Sequence, residues 1–242
     1  MPPTNSKIPF AVILGISLII SFSIFGGFYY YAQYATSRDV LTVTGSAKKA
    51  VTSDQAKLTI VLSRVVPVSQ LAYGNSQVSR DLGFLNELLA QKGISATETT
   101  ISPVSMNQFW SNKQGGENEY ELRQTAIIQS ADVSKITNLS KAIPELAVKG
   151  AIASVQSLEY YYSKLPETRV SLLSDAVKDA KDRADKIAES AGKKTGSIRS
   201  ASSGVVQVLP LNSVDVSDYG TYDTSSIEKE IMVTVKTSFG LK

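Results

Sequence analysis

Three aspartates in one polar segment come nearest to a chemical site in this sequence. Asp215, Asp218 and Asp223 lie between residues 211 and 227, in the run NSVDVSDYGTYDTSS. Because carboxylate oxygens are the ligands that Ca²⁺ prefers, the 211–227 loop is a candidate for binding Ca²⁺ or another small ligand. The spacing fits no EF-hand loop, and acidic surface loops are common. A solvated loop without metal is therefore the alternative interpretation.

The side chains that carry most metal and acid–base chemistry are missing. The chain contains no His and no Cys, which excludes disulfides, thiolate metal sites, cysteine nucleophiles and histidine bases. A Ser–Lys hydrolase needs neither residue and stays open as a weak alternative, although nothing distinguishes one serine from another. We therefore predict no catalytic residues, no cofactor and no metal ligand beyond the three aspartates.

The segment AGKKTG at residues 191–196 resembles a phosphate-binding loop only superficially. Such a loop needs a glycine five residues before Gly192, where this chain has Ile187, and it opens a helix rather than following one. Gly192 is better explained as the residue that ends the preceding helix, with Lys193 and Lys194 near the negative helix end. We predict no nucleotide site here.

The charge of the chain is nearly balanced. It carries 25 Lys and Arg against 22 Asp and Glu, and Lys7 is the one charged residue among the first 37. The remainder therefore holds 24 basic and 22 acidic side chains. A nucleic-acid-binding protein needs a clustered basic face, so we predict no nucleic-acid partner.

Residues 8–31 form a long apolar stretch without charge. About 20 helical residues span the hydrocarbon core of a bilayer, so the length suits a transmembrane helix. A cleaved signal peptide is the alternative, but a cut after Ala32 or Ala35 would leave a large residue at the minus-three position. Tyr29–Tyr31 are typical of an interfacial aromatic belt. We predict an uncleaved anchor.

This interpretation sets the domain organisation and the location. We predict a cytoplasmic tail over 1–7, a single-pass signal-anchor in the cell (inner) membrane over 8–31, and a linker over 32–38. Residues 39–242 then form the exported domain, which is periplasmic or extracellular. The lipid bilayer is a partner through the N-terminal helix.

Apolar periodicities in the exported part predict an α+β fold. Strands are expected near 40–45, 56–62, 99–109, 120–130, 151–163, 204–209 and 230–239. Helices are expected from about Ser69 to Gly93, from an Asp132 cap to a break at Pro144, and from Pro166 to Ala191. The order from 56 to 163 is βαββαβ, so we predict a ferredoxin-like subdomain over about 52–163.

A second small α+β subdomain is predicted from residues 39–51 and 164–242. It combines the first strand, the long helix and the C-terminal strands. The apolar residues of the helix are spaced alternately three and four apart, and we expect them to face the sheet: Val170, Leu173, Val177, Ala180, Ala184, Ile187 and Ala191. The charged residues of the opposite face predict a solvated surface.

Two short motifs stand near the start of the predicted exported domain: LTVTG at Leu41–Gly45, and Asp54 with Ala56. They resemble motifs of the SIMPL-domain family, which is found mainly in bacterial envelope proteins. LTVTG is similar to the family's opening ITVTG, and Asp54 and Ala56 match the following P-D-x-A motif, in which Ser53 replaces the proline.

The resemblance continues to about residue 239. Gly150–Leu158 resembles the strand that precedes the family's long helix, and Thr195 stands where the family usually has Leu. The regularly spaced small residues fit the alanine pattern of the family's long helix and the glycine that ends it: Ala176, Ala180, Ala184, Ala188, Ala191 and Gly192.

Membership of this family implies two small α+β subdomains, a tendency to form oligomers, no established reaction and no catalytic residues. Some members are linked to oxidative-stress defence. Our hypothesis is a non-enzymatic, membrane-anchored envelope protein that forms homo-oligomers or binds envelope protein partners. Self-association is expected at weakly charged strand edges beside the NKQGGEN turn at 112–118 and the 211–227 loop. The alternatives are the ligand-binding or Ca²⁺-binding loop and, more weakly, the hydrolase.

Overall fold

The computed structural model describes residues 10–36, 39–109, 117–213 and 219–242. The mixed α+β fold is confirmed, with an apolar N-terminal helix and two sheets. The helices are α1 (Phe10–Thr36), α2 (Leu71–Gln91), α3 (Val133–Ala142) and α4 (Leu165–Ser190). The strands are β1 (Val40–Thr52), β2 (Gln55–Pro67), β3 (Thr99–Ile101), β4 (Ser105–Phe109), β5 (Glu119–Ser130), β6 (Ala153–Tyr161), β7 (Thr195–Pro210), β8 (Thr221–Tyr222) and β9 (Glu228–Leu241).

Helix α1 is apolar on all sides. Its segment Leu14–Ala32 is 19 residues long, and none of that segment is buried against the rest of the protein. A helix that is apolar all round needs an apolar environment around it. The segment is long and apolar enough to cross a membrane or to be a signal sequence.

The chain forms two compact units. One comprises residues 1–46, 174–204 and 234–242, and the other comprises 47–173 and 205–233. The subdomain boundaries expected from the sequence, at about 52 and 163, stay a prediction.

The five-stranded sheet is antiparallel and belongs to the second unit. Its order is β3-β5-β2-β6, with β4 also paired to β5. Strand β2 pairs with β5 from Ala56 opposite Ser130 to Pro67 opposite Glu119. Helices α2 and α3 cover one face of the sheet, as the sequence pattern predicts. The alternate β2 residues Leu58, Ile60 and Leu62 are buried in one core cluster with apolar residues of the two helices: Val78, Leu85, Ile136 and Leu139. Each such side chain contributes about 1.5–3 kcal/mol by leaving water.

The predicted start and end of α3 are confirmed. The Asp132 carboxylate accepts a hydrogen bond from Lys135 N at 2.9 Å, which satisfies a free N–H of the first turn. The helix ends at Ala142, two residues before Pro144, and residues Ile143–Lys149 continue as a 3₁₀ helix.

The four-stranded sheet has the order β1-β9-β7-β8. Strand β7 begins at Thr195, whereas the sequence predicted a strand only from Gly204. The prediction was wrong because the segment SIRSASSG has no apolar alternation. Pairing with β9 continues the strand through this segment, although its side chains show no alternation that would predict a strand.

The buried face of α4 also differs from the prediction. Buried residues recur every four positions: Thr168, Leu172, Ala176, Ala180, Ala184 and Ala188. The predicted stripe shares only Ala180 and Ala184 with this face, and its larger members Val170 and Ile187 are 69% and 47% exposed. The larger apolar residues misled the prediction, because the packed face of α4 is defined by small residues.

Gly45 explains why small residues face the sheet. In the first unit, Val43 and Phe239 pack against Ala180 and Ala184. A Cβ added at Gly45 would lie 2.1 Å from the Ala176 carbonyl oxygen and 2.4 Å from the Ala180 nitrogen. Strand β1 therefore touches the backbone of α4, which is possible only where neither element carries a large side chain.

Candidate functional site

Asp223, the described member of the predicted aspartate site, lies in a closed hydrogen-bonded cluster. Its Oδ1 accepts from Ser225 N at 2.9 Å and from Ser225 Oγ at 2.6 Å. Its Oδ2 accepts from Ser226 N at 3.2 Å and from the Ser226 hydroxyl. Serines two and three positions after an aspartate can donate hydrogen bonds to its carboxylate oxygens, and these local bonds stabilise a turn.

Lys229 completes the cluster from strand β9. Its side chain is fully buried, and its Nζ donates to the Asp223 carbonyl oxygen at 2.6 Å and to Asp223 Oδ2 at 3.1 Å. Burial alone would raise the pKa of Asp223, but the hydrogen bonds from the two serines and Lys229 outweigh it and hold that pKa well below its usual range. The buried ammonium is thus paired with an ionised carboxylate, which offsets much of its desolvation cost.

This arrangement limits the chemistry available at the loop. Both Asp223 oxygens already accept hydrogen bonds, and Lys229 is a donor to Asp223 rather than a base beside Ser226. Across residues 10–36, 39–109, 117–213 and 219–242, no group of three or more acidic residues could hold a metal ion. Asp215 and Asp218 lie outside the described residues, so the Ca²⁺ site stays a prediction.

Sequence analysis missed Lys229, although a signal for it was present. Alternation along β9 places residue 229 on the same face as the buried residues Ile231, Val233 and Val235. The apolar pattern was followed only from Ile231 onward, because a lysine between two glutamates suggests an exposed position.

A second buried ion pair, also missed, joins β2 to α2. Arg64 donates from Nε to Asp81 Oδ2 at 2.8 Å and from a terminal nitrogen to Oδ1 at 2.9 Å. The same guanidinium donates to the Gly150 carbonyl oxygen at 2.7 Å, and Ile152 N donates to Asp81 at 3.3 Å. Asp81 is fully buried and lies on the helix face of Val78 and Leu85, which is the signal that could have identified it. The pair connects β2, α2 and the segment at Gly150–Ile152, which favours a structural role.

Asp54, which carries part of the family resemblance, is likewise structural. Its carboxylate accepts from Ser163 N at 2.8 Å and from Ser163 Oγ at 2.7 Å, just before α4 begins. Burial alone would raise the pKa of Asp54, but the bonds from Ser163 outweigh it and lower that pKa. Ser53, at the proline position of the motif, donates its N–H to the Ile227 carbonyl oxygen at 2.9 Å, a bond that proline could not make.

Two of the open depressions among the described residues illustrate what the surface offers a ligand. One, of about 250 Å³, lies at the end of the five-stranded sheet and is lined by polar groups that include Lys57, Gln129 and Tyr161. The other, of about 520 Å³, lies in the first unit between β1 and α4, beside Val43 and Ile187. Neither holds a convergent set of polar groups of the kind that fixes a small molecule.

Gly192 ends α4 as predicted. Its φ is +69°, and Lys193 N donates to the Ala188 carbonyl oxygen at 2.8 Å, which closes the helix. The AGKKTG segment therefore follows a helix C-terminus, where carbonyl oxygens and not N–H groups are exposed, and this geometry repels phosphate.

Solved structures that resemble parts of the chain are distant. An amidohydrolase/peptidase from Burkholderia cenocepacia shares 12% identity over 50% of this chain and 29% of its own, with a TM-score of 0.26. A hydantoinase/carbamoylase family amidase from Burkholderia ambifaria shares 13% sequence identity over 46% of this chain and 29% of its own, with a TM-score of 0.24. A hydrolase from Listeria innocua shares 8% sequence identity over 81% of this chain and 91% of its own, with a TM-score of 0.19. The chain spans less than a third of the first two proteins, and TM-scores this low support no argument about fold or activity.

A search of curated proteins finds no match. The SIMPL family, described as a protein of unknown function (DUF541), matches residues 41–239. That range includes Gly45, Asp54 and the alanine face of α4, whose structural roles are described above. The matched range agrees with the range over which the sequence resembles this family, and the chain belongs to the SIMPL family.

Proposed function

We propose that this chain is a non-enzymatic, membrane-anchored envelope protein whose exported SIMPL domain associates with further copies of itself or with envelope proteins. Protection of the envelope or defence against oxidative stress is the proposed context. The observation that carries the proposal is helix α1, whose segment Leu14–Ala32 is apolar and has no buried residue. Such a helix is unstable in water and needs a bilayer or an apolar partner.

The finer organisation belongs to the same proposal. Residues 1–7 lie in the cytoplasm, the helix crosses the inner membrane, and residues from about 39 onward are periplasmic or extracellular. Residues 52–163 form a ferredoxin-like subdomain, which the antiparallel order β3-β5-β2-β6 supports. Residues 39–51 and 164–242 form the second subdomain.

The test of anchoring is the mass and location of the full chain. We expect it in the membrane fraction, resistant to carbonate extraction, with an intact mass that includes residues 8–31. Protease added from the outside should degrade everything beyond about residue 39. A mature N-terminus between Ala32 and Arg38 would contradict the anchor and favour a cleaved signal sequence.

A separate test addresses the absence of enzymatic activity. Fluorophosphonate probes label activated serines, and we expect no labelling of the detergent-extracted protein. Labelling that disappears in Ser226→Ala, the serine whose hydroxyl shares Asp223 Oδ2 with Lys229, would instead support the hydrolase alternative. Ser225→Ala, in the same turn, is the matched control.

A further inference from the structure

Two tyrosine rings of the second unit lie against each other. Tyr161 is the last residue of β6 and Tyr222 is the last residue of β8. Their ring centroids are 6.0 Å apart, and the ring planes are tilted by 35°. At this separation the facing edges of two rings are in van der Waals contact. Aromatic pairs often serve packing alone, but the access, the fixed position and the surroundings of these two phenols also suit a reaction between them.

Small molecules in solution can reach both rings. Tyr161 lines the open depression of about 250 Å³ beside Lys57 and Gln129, and Tyr222 is 38% exposed. The chain contains no Cys, so the thiols that ordinarily react first with oxidants are absent. A dissolved oxidant therefore has access to two phenols that are already in contact.

Hydrogen bonds hold the two residues in place. Tyr160 N donates to the Thr224 carbonyl oxygen at 2.8 Å, and Tyr162 N donates to the Tyr222 hydroxyl at 3.1 Å. The hydrogen-bonded cluster of Asp223 follows directly on Tyr222. Groups that are held in contact react with each other faster than separate molecules do, because no encounter is needed.

The surroundings of Tyr161 provide for the proton that an oxidised phenol releases. Burial and then the charge of Glu159 raise the pKa of Tyr161 above its ordinary value, so the phenol is protonated at neutral pH. Glu159 lies two residues earlier on the same face of β6, and its Oε2 is 3.2 Å from Lys57 Nζ. A phenol gives up an electron most readily when a base takes its proton at the same time, and the Glu159 carboxylate is the base in reach.

We propose that Tyr161 and Tyr222 form an oxidative modification site, at which a one-electron oxidant joins the two rings by a carbon–carbon bond and so fastens β8 to β6. The oxidant class is an oxygen-centred radical. Each of two peroxyl radicals takes one electron and one proton from a phenol and leaves as a hydroperoxide. The two phenoxyl radicals then bond through the ring carbons ortho to their oxygens. The hydrogen on each of these carbons moves to the oxygen of its own ring as a proton, which restores both phenols, so the product has two hydrogens fewer than two tyrosines.

The site lies within the second unit and requires neither the anchor nor a second copy of the chain. It therefore goes beyond the proposed function, and a cleaved or monomeric protein would carry it unchanged. The reaction consumes two radicals, which fits the proposed context of defence against oxidative stress.

The test exposes the dilute, detergent-extracted full chain to peroxyl radicals from a water-soluble azo initiator, followed by trypsin digestion and mass spectrometry. We expect the tryptic peptides 150–164 and 200–229 to be linked, with a mass two hydrogens below their sum. The fraction of linked chains should not depend on protein concentration, because the bond forms within one chain. Absence of this linked pair, or a linked fraction that rises in proportion to protein concentration, would overturn the proposal.

Phenylalanine variants identify the tyrosines, because phenylalanine keeps the ring and cannot form a phenoxyl radical. Tyr161→Phe and Tyr222→Phe should each lower the linked fraction at least about ten-fold. Tyr161→Phe keeps the bond from Tyr162 N to Tyr222, so it tests the site even if Tyr222→Phe fails to fold.

Tyr219→Phe is the matched control. Tyr219 belongs to the same tryptic peptide and is 96% exposed, so it would react in preference to Tyr222 if exposure alone chose the partner. We expect the linked fraction of Tyr219→Phe to stay within about two-fold of wild type. Loss of the link in Tyr219→Phe, or its retention in Tyr161→Phe, would overturn the proposal.

The melting temperature tests whether the link fastens the two strands. A bond between Tyr161 and Tyr222 closes a loop of about 60 residues and restricts the unfolded chain. We expect the oxidised wild type to melt roughly 10 °C above Tyr161→Phe oxidised in the same way, since radical damage elsewhere affects both proteins. Linked wild-type protein that melts no higher than the oxidised variant would overturn the fastening of β8 to β6.

Discussion

In the first unit, strands β1 and β7 lie on opposite sides of β9, and the edges that they turn away from β9 differ. At β1, the backbone of α4 lies against Gly45, and Asp179 of that helix accepts the Ser46 N–H at 2.8 Å. At β7, residues 197–204 are exposed and face no covering element among the described residues. One edge is closed by a side chain and a helix, and the other is open.

The difference shows what the family motif residues do. Gly45 and the alanines of α4 let helix and strand approach closely, and the approach brings Asp179 within reach of Ser46. An edge N–H satisfied in this way is unavailable to another chain. The comparison assigns a stabilising role to Gly45 and Asp179 at β1, and this assignment can be tested by substitution.

Gly45→Ala is expected to have the largest effect, a loss of about 3 kcal/mol or more in the free energy of unfolding, because backbone atoms of α4 already occupy the space. The measurement is chemical denaturation of the detergent-extracted full chain. Gly83→Ala on α2 is the matched control, since nothing lies within 4 Å of that position. It should stabilise the helix by about 0.5–1 kcal/mol. Equal stability of the two variants would refute the close contact of β1 with α4.

Asp179→Ala should have an intermediate effect. It leaves the half-buried Ser46 N–H without its acceptor, at a cost of about 1–2 kcal/mol, and it opens the β1 edge. Asp182→Ala, exposed on the same helix, is the control and should change stability by no more than about 0.5 kcal/mol. A gain of dimer in Asp179→Ala without a gain in Asp182→Ala would show that Asp179 also protects the edge.

The same aspartate makes the closed edge sensitive to acid. The hydrogen bond from Ser46 N and the contact with Arg183 lower the pKa of Asp179 below its ordinary 3.8. A lowered folded-state pKa means that the stabilisation is present above pH 3.8 and is lost as the pH falls through the folded value. We therefore expect the melting temperatures of wild type and Asp179→Asn to differ at pH 7 and to converge below about pH 3.8. A difference that persists to pH 2 would show that the charge of Asp179 is irrelevant.

The open edge should tolerate change with the smallest effect on folding. Ser203→Lys places a charge on an exposed strand position, so the free energy of unfolding should stay within about 0.5 kcal/mol of wild type. Stability is measured by chemical denaturation of the detergent-extracted full chain, and a loss comparable to that of Asp179→Ala would contradict the open state of this segment.

Sequence patterns predicted the elements that bury one regular face. The alternating residues of β2, the Asp132 cap, the Gly192 stop and the family membership all follow from signals of this kind. The patterns failed to predict burial where the buried residues are polar or small. Lys229 and Asp81 are buried because each finds an ionic partner outside its own strand or helix, and the periodicity of that element does not show the partner. The face of α4 was misjudged because contact with Gly45 selects small residues over large ones.

The position of β9 between β1 and β7 has a consequence for the order of synthesis. Thr42 and Ser238 are hydrogen-bonded at 2.9 Å although 196 residues separate them. At about 5–20 residues per second, the strand nearest the anchor waits on the order of ten seconds or more for its neighbour to leave the ribosome. Contacts of such long range also form slowly once the whole chain is available. During that interval the LTVTG strand has no permanent neighbour, so a chaperone that shields nascent chains would find its target at the start of the domain.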